Sequence, residues 1–176
     1  MALLLLPLVL CEVLLRAAIP SRMQTFDREL LAALQSGARQ ELLPLYQRQR
    51  LLRFAAPKHA LLDKLGLIYT QLDDPASAAR AFREAFEDAP GARQVELALK
   101  LADALRASGQ REEAERYYRE VLSVAGEHVH SNRELARLLL QRGGERQEAL
   151  TALRRAAAAA PRDPEGGEVR CEAALL

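Results

Sequence analysis

The chain has no tryptophan, two cysteines and only 5% aromatic residues, so its core must be built from leucine, alanine and a few tyrosines and phenylalanines. A core of that kind favours close-packed helices over a sheet. Cys11 and Cys171 stand near opposite ends without metal-ligand spacing, which leaves no disulfide framework and no sign of an oxidising compartment. A net charge of +1 provides no global field to draw in nucleic acid, and none is expected as a partner. Lysine is scarce, with Lys58, Lys64 and Lys100 standing against many arginines. The residue patterns that carry chemistry are missing too: no phosphate-binding glycine loop, no His pair four apart around a Glu, no cysteine cluster, no nucleophile turn. His128 and His130 are two apart, a spacing that does not face one site on a helix, and they lack further ligands. No metal, no cofactor and no enzymatic activity are therefore expected.

What is present is 49% hydrophobic and 28% charged residues set at helical spacing. Residues 62–90 organise the rest. Leu62, Leu65, Gly66 and Tyr69 fall on one face of a first helix, and Ala78, Phe82 and Ala85 on one face of a second. Gly66 and Ala78 are small where two helices cross, and Tyr69 and Phe82 fill the space beside them. Asp73 or Asp74 caps the second helix, Pro75 suits its first position, and Pro90 stops it.

This spelling resembles the 34-residue tetratricopeptide signature, with Leu62 where the signature has Trp. It recurs downstream in Leu101, Ala102, Leu105, Gly109, Ala114, Tyr118 and Val121, where Tyr118 is expected in the core and Tyr117 outward. A third copy comes next in Leu135, Ala136, Leu139, Gly143-Gly144, Ala149, Leu153, Ala156 and Pro161. Upstream, Leu30, Ala33, Gly37, Leu42, Leu45 and Tyr46 sketch a degenerate unit. The resemblance implies an all-α fold, a right-handed superhelical stack of antiparallel helix pairs. It divides the chain into an apolar segment (1–20), a degenerate hairpin (21–57), three repeats (58–161, at about 59–92, 95–128 and 129–161) and a flexible tail (162–176).

By the same resemblance the first helix of each repeat lines a concave groove that takes a segment of a partner protein. The groove positions are Asp63, Leu67, Thr70 and Gln71, then Glu96, Leu99, Asp103 and Arg106, then His130, Arg133, Arg137 and Gln141. That order predicts a groove acidic early and basic late. Arg133 and Arg137, four apart, face one way and can grip an acidic stretch together. Chaperone-binding members hold a C-terminal carboxylate with Lys and Asn on the first of three repeats. Asp63 and Leu67 occupy the matching sites here, and an acid repels a carboxylate, so no such clamp is expected.

Residues 1–15 form the apolar run at the start. It is short for spanning about 30 Å of hydrocarbon, it lacks leading positive residues, and Leu10 is too bulky for a lipoprotein cleavage box before Cys11. Two readings stay open: a membrane anchor, with Arg16, Arg22 and Arg28 holding the repeats in the cytoplasm, or an apolar helix packed on the first repeat of a soluble cytoplasmic protein. Leucines on every helix face favour the anchor. Pro20-Ser21-Arg22 is expected to break it from the downstream chain, Thr25 or Asp27 to cap the next helix, and a second helix to run over residues 39–54. The function implied is a non-enzymatic scaffold tethered to a membrane in an assembly, secretion or biogenesis system, similar in layout to repeat proteins of cytochrome maturation or exopolysaccharide export. The alternative is an accessory or regulatory domain of a larger, possibly enzymatic, protein.

Overall fold

The computed structural model describes residues 2–49, 52, 56–143 and 146–159, with side chains from residue 18 onward. Among them there is no strand, and eight helices are delimited: α1 Ala2–Ser36, α2 Arg39–Arg48, α3 Lys58–Gln71, α4 Pro75–Asp88, α5 Gly91–Ala107, α6 Arg111–Val124, α7 Val129–Arg142 and α8 Arg146–Ala159. Short turns fold them into the antiparallel pairs α3/α4, α5/α6 and α7/α8, each stacked on the pair before it.

The turns arise from local chemistry. Asp73 adopts φ +58° and Asp74 caps α4, its Oδ1 accepting the Ser77 N–H at 3.0 Å with Pro75 as the first helical residue. Gly109, at φ +83°, turns α5 into α6, and Gly143, at φ +82°, ends α7. Pro57 offers no side-chain cap to α3, so Asp88 from the end of α4 supplies one, accepting the His59 N–H at 2.9 Å.

Two hydrophobic clusters form the core. The larger runs through α4 to α8 and includes Phe82, Leu101, Leu105, Tyr118, Leu139 and Leu153. The smaller joins Phe26 and Leu30 of α1, Leu42 of α2 and Leu52 to Leu61 and Ile68 of α3. Helix α3 is therefore buried on two sides: Leu62 and Tyr69 pack toward the larger cluster, and Leu61 and Ile68, which one-face periodicity does not single out, pack toward the smaller. Tyr117 corrects the expectation of an outward ring. It is buried, packs edge-on against Phe86 with centroids 5.6 Å apart, and carries the Arg116 guanidinium over its face at 4.9 Å. The second helix of a pair, like the first, touches the pair before it as well as its own partner.

The N-terminal region also departs from expectation. Helix α1 continues through Pro20, and Thr25 and Asp27 lie inside it instead of capping a new helix. Proline removes one backbone donor without closing the helix. The hydroxyls of Ser21 and Thr25 donate to the carbonyls of Ala18 and Ser21, both at 2.9 Å. Lys64 of α3 pairs with Asp27, holding α1 in register against the repeats. Helix α2 ends at Arg48, well before residue 54. Among the described residues no helix is long and apolar enough to cross a membrane. The anchor reading rests on residues 1–20, whose side chains up to residue 17 lie outside the described ones, as do the tail residues 162–176.

Candidate functional site: a cleft on the shared face of the first helices

Helices α3, α5 and α7 are the first members of their pairs, and side chains from all three border one cleft of about 620 Å³. Leu67 and Thr70 come from α3, Lys100, Asp103, Ala104, Arg106 and Ala107 from α5, and His130 from α7, with Asp73, Pro75 and Phe82 closing the α4 side. Five groove positions expected from the sequence thus meet here: Leu67, Thr70, Asp103, Arg106 and His130.

The remaining positions sort differently. Asp63 and Glu96 converge on the ammonium of Lys100, which lies 2.8 Å from Asp63 Oδ1 and 2.8 Å from Glu96 Oε1. Sequence reasoning missed Lys100 because the apolar stripe of α5 passes on either side of it. Its amine is pulled down by burial, but the bonds to Asp63 and Glu96 outweigh that and raise it above the ordinary lysine value. The same ammonium holds Glu96 below the usual carboxylate range. The early end of the groove is thus acidic with a cation at its centre. Leu99 is half-buried, does not border the cleft and packs against the larger core cluster. Gln71 is exposed, Arg133 is half-buried, and neither borders the cleft. Arg137 and Gln141 border a neighbouring recess with Arg106, Arg111, Glu134 and Leu138.

The middle of the cleft is held by a hydrogen-bonded centre. Asp103 Oδ1 accepts from the Tyr118 hydroxyl at 2.5 Å and from His130 Nε2 at 2.8 Å, linking α5, α6 and α7. Burial alone would raise the Asp103 carboxyl, but the bonds from His130 and Tyr118 and the nearby charges of His130 and Arg106 hold it below the ordinary range. His130 is raised, chiefly by its bond to Asp103, with burial opposing. Burial first and Asp103 second push the Tyr118 hydroxyl far above its ordinary value, so it stays a donor. His128 has another role: it caps α7 by accepting the Ser131 N–H at 3.2 Å, and burial with the neighbouring His130 lowers it. Among the described residues no group of His, Cys, Asp or Glu is arranged to hold a metal ion. The arrangement offers apolar and charged side chains at one opening, suited to seating a side chain of a bound segment.

Residues 99–164 match a family model described as Tetratricopeptide repeat. No curated protein sequence matches the chain. Among solved structures it is similar to MamA, at 15% identity over 81% of each chain with a TM-score of 0.66. It is similar also to MamA 41-end from Desulfovibrio magneticus RS-1, at 15% identity over 81% of this chain and 78% of that one, TM-score 0.67. A chain of the CopN-Scc3 complex aligns at 18% identity over 72% of this chain and 73% of its own, TM-score 0.58. At such identities the likeness is one of fold. The family match is confined to residues 99–164, and the fold of the described residues is that of tetratricopeptide-repeat structures, a right-handed superhelical stack of antiparallel helix pairs.

Proposed function

We propose that this chain is a non-enzymatic interaction scaffold that holds a segment of a partner protein in the cleft bordered by α3, α5 and α7. The observation that carries the reading is that cleft: Leu67 and Phe82 supply apolar wall, and Lys100, Asp103, Arg106 and His130 supply a charged rim at the same opening. Apolar anchors give affinity, and a patterned rim gives register and selectivity. One solved chain of the same fold comes from a complex, CopN-Scc3. The occupant is not a chaperone-type C-terminal tail, because Asp63 is an acid and Leu67 is apolar at the two sites where such a tail needs donors. The apolar residues 1–20 add a membrane tether to the reading, with the scaffold serving an assembly, secretion or biogenesis system.

Two experiments test it. Photo-cross-linking residues placed at Thr70, on the cleft, and at Val124, 70% exposed at the far end of α6, separate the faces. The reading requires adducts with a co-purifying partner from Thr70 and far fewer from Val124. Equal yields, or adducts from Val124 alone, overturn the cleft as the binding face. For the tether, the chain lacking residues 1–20 is expected to leave the membrane pellet while residues 21–159 keep their helices. Precipitation, or helicity lost beyond that of the deleted residues themselves, would place that segment in the core.

A further inference from the structure

Beside the apolar cleft lies a recess of about 380 Å³ bordered by Arg106, Arg111, Glu134, Arg137, Leu138 and Gln141. Arg106 borders both, so the two form one continuous surface. Three guanidiniums and one carboxylate border it. Glu134 is 5% exposed, and its oxygens pair with Arg106 Nε at 3.3 Å and Arg137 at 3.0 Å. A buried carboxylate needs such partners. Each guanidinium carries five N–H donors in a rigid fork, more than one shared carboxylate can engage. Glu134 therefore holds two arginines at the recess. Arg111, from the start of α6, is exposed and adds the third charge.

The apolar part is equally specific. Leu67 keeps 36% of its surface exposed on the cleft, which Phe82, Ala104 and Ala107 also line. The geometry points to an occupant of one chemistry: an extended peptide whose large apolar side chain seats against Leu67 and Phe82 and whose neighbouring acidic side chain enters the Arg106–Arg111–Arg137 recess. This rests on the cleft reading above and names the partner motif, an apolar residue with a carboxylate at short spacing from it. Arg111 belongs to a second helix of a pair, and the expectation drawn from first helices alone does not include it.

The test uses the full chain and short synthetic peptides in a Gly/Ser background carrying one leucine and one aspartate, with their spacing varied, read by fluorescence anisotropy. Matched peptides replace aspartate by asparagine or leucine by serine. At the best spacing and low salt the Leu/Asp peptide is expected to bind about tenfold tighter than the Leu/Asn peptide, a gap that narrows as salt screens the charges. Arg111→Glu is expected to abolish the gap with an unchanged circular dichroism melt, since the Arg111 side chain has no described partner to lose. Leu67→Ser is expected to weaken both peptides alike. Equal affinity for aspartate and asparagine peptides, with Leu67→Ser still weakening both, overturns the anion subsite while the cleft reading stands. Binding indifferent to both Leu67→Ser and Arg111→Glu overturns the two together, and failure of every peptide to bind overturns the motif.

Discussion

A Cβ atom built on Gly66 would lie 2.6 Å from Cδ1 and 2.7 Å from Cζ of the Phe82 ring, well inside van der Waals contact. The α3/α4 crossing is thus closed by an absent side chain on one helix and a large one, 2% exposed, on the other. Gly66→Ala is expected to cost about 1–3 kcal/mol through overpacking, even though alanine is the better helix former. Phe82→Ala is expected to cost about 3–5 kcal/mol. Pairing Gly66→Ala with Phe82→Leu should recover part of the first loss. Denaturant melts of the three variants check this, and additive losses in the double variant would contradict the direct contact.

Gly109 turns α5 into α6 at φ +83°, with open space where a Cβ would stand. Strain and not crowding is therefore the cost of Gly109→Ala, expected at about 1 kcal/mol. Gly109→Asn should cost less, because asparagine tolerates that conformation. A thermal melt ranking alanine above asparagine in stability would refute the backbone argument.

His130 and Asp103 make stability depend on pH. His130 has a raised value in the fold, so its contribution is full below its unfolded value and is lost as pH rises through the raised one. Asp103 has a lowered value, so its contribution is present above its unfolded value and is lost as pH falls through the lowered one. The stability gap between the native chain and His130→Gln should therefore shrink as the medium turns alkaline. NMR titration should find the His130 ring titrating above ordinary histidine, with Asp103→Asn bringing it down. A ring that titrates alike in both chains would remove the Asp103 bond.

Arg137 does more than line a groove. Its guanidinium donates to Glu134 Oε1 at 3.0 Å, and Glu134 is 5% exposed. Reversing Arg133 and Arg137 together to Glu, which their spacing alone would rate as nearly harmless to stability, places a like charge against a buried carboxylate. A loss of about 1–3 kcal/mol is expected, and it is relieved when Glu134→Gln is added. An unchanged melt in the double reversal would show that Arg106 alone satisfies Glu134.

Much of the fold is legible in the residues because its rules are local. The Asp74-Pro75 start of α4, the glycine turns at Gly109 and Gly143, and the small-against-large alternation of Gly66 and Phe82 each depend on neighbours within one helix pair. Their spacing states them directly. Part of the cleft is legible for the same reason: Leu67, Asp103 and His130 sit at fixed offsets from the stripe that packs each pair.

Only the tertiary structure decides what happens between pairs. Periodicity measures an angle about one helix axis and marks the face turned to the partner helix, but the superhelical step that brings the next pair alongside covers a second face. The stacking of neighbouring units buries Leu61, Ile68 and Tyr117 and half-buries Leu99. It brings Lys100 to Asp63, 37 residues away, and Arg106 to Glu134. Pro20 gives the converse case, where a helix-breaking residue stays helical because the segment after it is held against α3 through Phe26, Leu30 and the Asp27–Lys64 pair. Residues a few positions apart determine each helix pair, whereas charge pairing and second-face burial depend on distances that exist only once the pairs are stacked.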